Sequence, residues 1–130
     1  MAKTTSHSRE LEDICTIAVG LLGAGFIGQM HTLALRNAAT SMWEPKIHVC
    51  PKILADVDSE LCAKVGERFD WEECTENWRD IIDDPEIDLF INAGPNHIHA
   101  QPTIAAAKRG KHVFCEKPLA STADEAFQIW

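Results

Sequence analysis

Apolar and polar positions along the chain switch repeatedly between two patterns. Residues 14–22 read Ile-Cys-Thr-Ile-Ala-Val-Gly-Leu-Leu, an almost unbroken apolar run. Such a run predicts a strand buried on both faces, as in a parallel sheet. Over residues 25–37 the pattern changes. Phe26, Ile27, Met30, Leu33 and Ala34 recur at helical intervals and predict a helix with that apolar stripe. Residues 38–46, with Trp43 and Pro45, read as a loop. Residues 52–56 predict a second strand, with Pro51 allowed at its start. Asp58 or Ser59 can cap a helix whose face is Leu61, Cys62, Val65 and Phe69. A short third strand falls at residues 73–75, and a short helix over 77–82 ends before Pro85. Residues 88–92 predict a fourth strand, stopped by Ala93-Gly94-Pro95. Residues 102–109 predict a helix, with Pro102 in its first turn and Gly110 just past its end. Residues 112–115 predict a fifth strand. Ser121 with Asp124 three residues on marks a last helix start. Strands that alternate with helices predict an α/β domain: a Rossmann-type, doubly wound parallel sheet with helices on both faces.

Composition narrows the classes. A chain of 130 residues can bury one real core. Its net charge of −8 offers no basic surface for a phosphate backbone, so no nucleic-acid partner is expected. No apolar run approaches the ~18 residues that span a bilayer, so no membrane partner is expected either. Residues 1–13 are polar, lack the apolar stretch of a signal peptide and are expected to form a flexible tail. The domain is therefore assigned to residues 14–130. Cys15, Cys50, Cys62, Cys74 and Cys115 form no Cys-x-x-Cys pair. That pattern suits reduced thiols in the cytoplasm better than a disulfide framework or a zinc site.

The chemistry collects at strand ends. Gly23-Ala24-Gly25-Phe26-Ile27-Gly28 is a G-x-G-x-x-G that follows a buried strand and opens a helix, the context a dinucleotide site needs. Gly23 permits the tight turn, Gly25 lets the backbone approach a pyrophosphate, and Gly28 lets helix and sheet pack closely. Asp56 closes the second strand and can accept hydrogen bonds from ribose hydroxyls. Asp58 follows instead of an arginine, and two carboxylates would repel a 2′-phosphate. The expected cofactor is thus NAD rather than NADP. The segment from Asn92 to His99 ends the fourth strand. His97 and His99 have no third ligand at metal spacing, so no metal is expected. A turn-stabilising or cofactor-shell role remains open for His99. Lys117 follows the fifth strand, where it would share the crevice. Beside a cationic nicotinamide its charge is disfavoured, which poises it to exchange a proton near neutrality. Read without that context, Lys117 also fits a surface cation.

The ordered set of Gly23 to Gly28 with His31, Asp56, Pro95-Asn96 with His99, and Gly110-Lys111-His112-Val113 with Glu116-Lys117-Pro118 resembles the Gfo/Idh/MocA oxidoreductases. The resemblance runs from Ile17 onward. It implies that Lys117 is catalytic and hydrogen-bonds the reacting hydroxyl. It implies a cofactor site of Gly23, Gly25, Phe26, Ile27, Gly28, Asp56, Ala93, Pro95, Asn96, His99, Glu116 and Lys117, and a cis Lys117–Pro118 bond. The implied activity is hydride transfer between a nicotinamide cofactor and a sugar or cyclitol carbon.

Members of that family carry a second α/β domain that supplies the substrate pocket. The resemblance implies that such a domain is absent here, and that the chain is cut within a helix at Trp130. The expectation is a dinucleotide-binding first domain that does not turn over alone, from a protein that forms a homo-oligomer at full length. Two other functions remain open: an NAD-dependent lyase or glycosidase with transient redox, and a non-catalytic dinucleotide sensor. An intact Glu116-Lys117-Pro118 favours catalysis over sensing.

Overall fold

The computed structural model describes residues 15–41 and 47–130. Its strands are β1 (Cys15–Leu22), β2 (Ile47–Ala55), β3 (Glu73–Thr75), β4 (Leu89–Asn92) and β5 (His112–Cys115). They form one sheet in the order β3-β2-β1-β4-β5, and every neighbouring pair is parallel. Parallel pairing forces each connection to cross the sheet, and helices fill those crossings. They are α1 (Phe26–Ser41), α2 (Ser59–Phe69), α3 (Arg79–Asp83) and α4 (Ala100–Lys108), the last preceded by a 3-10 turn at Asn96–Ile98. A last helix, α5 (Ala123–Ile129), follows β5. Because β4 lies beside β1 and not beside β3, the winding reverses there. A crevice between the C-terminal ends of β1 and β4 is the usual ligand position in such a sheet.

Period-two alternation sorts the core into two layers. Val19, Leu21, Leu54 and Ile91 pack with Cys62, Val65 and Phe69 of α2 and with Trp71. Leu22, Ile53, Ala55 and Phe90 pack on the other face with Ile81 and Ile82 of α3, Ile87, and Ala106 of α4.

Several local expectations change. The first residues of β1 are exposed because β4 pairs only with Val19 to Leu22. β2 begins at Ile47, and Pro51 lies inside it. The register slips between Val19 and Gly20, so Lys52 is an extra residue beside the proline. Proline is tolerated at such a bulge. α1 continues to Ser41 and takes up residues 38–41, which read as loop. The tail at residues 1–13, together with Trp43 and Pro45, lies outside the described residues. Short helix α3 starts at Arg79, later than the expected Asn77, whose side chain accepts from the Arg79 amide at 3.2 Å. Thr122, not Ser121, caps α5, accepting from Glu125 N at 3.2 Å.

The largest change concerns α1. Its apolar stripe faces outward: Phe26 is 73% exposed and Met30 41%. Gly28, Thr32 and Leu35 face the sheet instead. The cause is steric. A Cβ on Gly28 would lie 1.8 Å from the Gly23 carbonyl oxygen. That contact fixes the rotation of the helix whatever its apolar pattern favours. Thr32 is carried inside and donates from Oγ1 to the Gly28 carbonyl at 2.9 Å. Gly28→Ala should therefore lower stability by about 1–3 kcal/mol, the usual range for overpacking, in urea unfolding. A variant as stable as its parent would contradict the contact.

Candidate dinucleotide site

Register places the five strand ends in one row. Leu22 pairs with Ala55 and with Asn92, Ala55 pairs with Thr75, and Asn92 pairs with Cys115. Four further backbone bonds carry the ladder one residue past the strands. Gly23 N donates to Ala55 O at 2.8 Å, and Asp56 N to Thr75 O at 3.0 Å. Ala93 N donates to Leu22 O at 2.8 Å, and Glu116 N to Asn92 O at 2.9 Å. The glycine turn, Asp56, Ala93 and Glu116 thus share one rim.

At the turn, Gly23 has φ +104°, and an added Cβ would sit 2.5 Å from the Ala93 carbonyl oxygen. Glycine alone tolerates both conditions. Gly25 is the opposite case, since its Cβ would meet nothing within 4 Å. Open space over a backbone is what an approaching phosphate needs. The α1 ladder opens with Gln29 N donating to Gly25 O at 3.0 Å. The amides of Phe26, Ile27 and Gly28 precede it, at the positive end of the helix dipole. The first turn of α1 holds no acidic residue to compete with an anion.

Asp56 is half-buried, and backbone amides hold its carboxylate. Oδ2 accepts from Ala24 N at 2.7 Å, and Oδ1 accepts from Asp58 N at 2.9 Å. Each oxygen keeps a further lone pair for a hydroxyl donor. Asp58 in turn accepts from Leu61 N at 3.0 Å as the N-cap of α2. Val57, between them, is exposed.

Across the crevice, Asn92 is fully buried. Its amide donates to His99 O at 3.2 Å and to Thr103 Oγ1 at 3.1 Å. Pro95 and Asn96 are exposed on the loop beyond. His99 is 1% exposed, with its ring set between the carbonyls of Gly94 and Pro118. His97 is exposed. Among the described residues, no group of three His, Cys, Asp or Glu could hold a metal ion.

After β5, Glu116 Oε1 meets His31 Nε2 of α1 at 2.7 Å, and Oε2 accepts from Lys117 N at 3.2 Å. The His31 hydrogen bond, helped by the Lys117 amide, holds the Glu116 carboxyl below its ordinary value. His31 also stands edge-on to Phe114, with ring centroids 5.1 Å apart. Lys117 is exposed, and its bond to Pro118 is cis. Burial pushes the neighbouring Cys115 thiol up, which disfavours the thiolate.

Sequence reasoning gave no role to Asn92 and no partner to His31. A buried amide at the end of an apolar strand is a readable clue to the first. The second needed the rotation of α1, which no periodicity discloses.

Residues 17–130 match the Gfo/Idh/MocA family, described as an oxidoreductase family with an NAD-binding Rossmann fold. Levoglucosan dehydrogenase of Pseudarthrobacter phenanthrenivorans is 45% identical over 108 residues, covering 83% of this chain and 28% of that protein. Inositol 2-dehydrogenase of Salmonella typhimurium is 30% identical over 114 residues, covering 88% of this chain and 32% of that one. Among solved structures, levoglucosan dehydrogenase in complex with NADH superimposes with a TM-score of 0.84 at 43% identity, over 88% of this chain and 31% of that one. The chain therefore spans 28% to 32% of the length of these relatives. It belongs to the Gfo/Idh/MocA oxidoreductases, as an NAD-binding Rossmann domain.

Proposed function

We propose that this domain holds NAD along its C-terminal rim, and that the protein at its relatives' length oxidises a hydroxyl-bearing carbon of a sugar or cyclitol. The observation that carries the reading is the register row that brings the glycine turn, Asp56 and the Glu116-Lys117 segment to one rim of the sheet. Relatives named for levoglucosan and inositol support the substrate class.

The residues present fit a dinucleotide. Open space at Gly25 and an α1 start without acidic residues suit a pyrophosphate, held by Gly23, Gly25, Phe26, Ile27 and Gly28. Asp56 would accept from the ribose hydroxyls. Ala93, Pro95 and Asn96, with His99 behind them, and Glu116 would flank the nicotinamide. When bound, NAD supplies the two-electron acceptor. Lys117 would hydrogen-bond the reacting hydroxyl and take its proton, and Glu116 would orient the backbone that carries it. The carboxylates of Asp56 and Asp58 would repel the 2′-phosphate of NADP, which supports NAD as the cofactor. The cytoplasm suits five free cysteines. No described helix is long and apolar enough to cross a membrane. A net charge of −8 gives nucleic acid no counterpart. Self-association of the longer protein is part of the same proposal.

Calorimetry should find NADH bound at least about tenfold more tightly than NADPH, a difference of ~1.4 kcal/mol. Tighter NADPH would overturn the cofactor assignment. At the relatives' full length, Lys117→Ala should cut kcat by at least about 100-fold with cofactor affinity kept. Unchanged turnover would remove Lys117 from the chemistry. Absorbance at 340 nm should rise with a sugar or cyclitol substrate, whereas product without net NADH would indicate a redox-neutral lyase.

Because its folded-state value is lowered, Glu116 contributes its favourable contact above the ordinary glutamate range and loses it as pH falls through the lowered value. His31→Ala should move the Glu116 titration upward, read by carboxyl carbon NMR. An unmoved midpoint would show that the pair does not hold in solution.

A further inference from the structure

One helix serves both ends of the crevice. The second turn of α1 carries His31, whose Nε2 lies 2.7 Å from Glu116 Oε1. An ionised carboxylate only accepts, so Nε2 is the nitrogen that bears the proton. That holds for a neutral ring and for a cationic one, so the contact requires no charge on the imidazole. The ring is itself held in place. It stands edge-on to Phe114 with centroids 5.1 Å apart. Its helix cannot turn, because Gly28 has no room for a Cβ against the Gly23 carbonyl oxygen. Thr32, the next residue, is buried and donates from Oγ1 to Gly28 O at 2.9 Å.

We propose that His31 is a positioning residue for Lys117: an Nε2–H donor that fixes Glu116 Oε1 and so keeps Glu116 Oε2 on the Lys117 amide. The two oxygens of Glu116 face different partners. Oε1 meets α1, and Oε2 accepts from Lys117 N at 3.2 Å. The Glu116 backbone amide donates to Asn92 O at 2.9 Å. Residue 116 is thus anchored twice, by its backbone to β4 and by its side chain to α1, and Lys117 comes next. Lys117 is exposed and has the rotamer freedom of any lysine, so its reach starts from the backbone beneath it. Without the His31 donor the carboxylate would be free to leave that amide and to pair with the neighbouring ammonium. Such a pair favours the charged amine and opposes proton uptake. A displacement of about 1 Å at a reacting group can cost as much as 100-fold in rate. The element whose first amides face the pyrophosphate position therefore also sets the lysine.

This role rests on the proposed proton-handling by Lys117, whereas the ring tautomer does not. Long-range 1H–15N NMR of the unaltered chain should show His31 Nε2 bearing a proton. A ring protonated on Nδ1 alone would overturn the donor assignment. At the relatives' full length, His31→Leu keeps bulk but removes the donor. It should lower kcat by about 10- to 100-fold, measured with cofactor and substrate saturating so that affinity changes transmitted through Glu116 do not enter. His31→Gln places an N–H at a similar reach and should recover most of that loss. In a Glu116→Ala background, His31→Leu should change kcat by less than about twofold. Unchanged kcat in the Leu variant, a Gln variant no better than Leu, or a full further loss without Glu116 would each overturn the positioning role. If the Leu variant does not fold, the Gln variant and the ring spectrum still decide. Turnover that survives Lys117→Ala would instead overturn the reading of Lys117, and a protonated Nε2 would show that the contact with Glu116 stands regardless.

Discussion

The approach of Gly28 to the Gly23 carbonyl oxygen governs more of this domain than any single apolar contact. There is no room for a Cβ between them. The helix must therefore begin directly over the turn that ends β1, and it can present only one face to the sheet. That face carries Gly28, Thr32 and Leu35, and with them His31. The same rotation lets His31 reach Glu116 at the far side of the crevice. It also aims the more apolar stripe of α1 outward. A packing requirement at one glycine thus decides which side chains of α1 serve the rim.

Parallel register supplies the second half of the arrangement. Hydrogen-bonded partners across five strands end at one level, so residues distant in sequence arrive together without any side-chain contact. Side chains then tie the loops to each other. Asp56 bonds the Ala24 amide and so couples the end of β2 to the glycine turn. Hydrogen bonds to charged groups contribute about 1.5–3 kcal/mol, toward the lower end at a half-buried carboxylate. Asn92 does comparable work for the β4 loop from a fully buried position. The opposite rim differs in kind. A depression of about 370 Å³ lies there among Asp83, Arg109, Lys111 and His112. Its cations are already engaged: Arg109 pairs with Asp83 at 2.6 Å, and Lys111 Nζ donates to the Asp84 and Ile87 carbonyls.

Much of this was legible in the sequence because it depends on local chemistry. Gly110 takes φ +76° after α4, as its place past a helix end predicted. Asp58 caps α2, and β5 spans His112–Cys115 as read from its apolar run. The strand-ending segments were visible as glycine-rich or polar interruptions after apolar runs. What escaped depended on packing. The inward face of α1 is set by a glycine contact, against its own apolar periodicity. The first half of β2 was hidden because Pro51 reads as a boundary until a bulge beside it is known. The linkage of His31 to Glu116, and of His99 to two carbonyls, joins elements far apart in sequence and has no local mark.

On the proposed function, one rim gathers the glycine turn, Asp56 and the Glu116-Lys117 segment into a dinucleotide cleft. Amide 1H–15N NMR with added NADH maps that cleft directly. Shifts should concentrate at Gly23, Gly25, Phe26, Ile27, Val57, Ala93 and Lys117, and Asp83, Arg109 and Gly110 should stay still. Shifts confined to the latter three, or none at saturating NADH, would contradict the account.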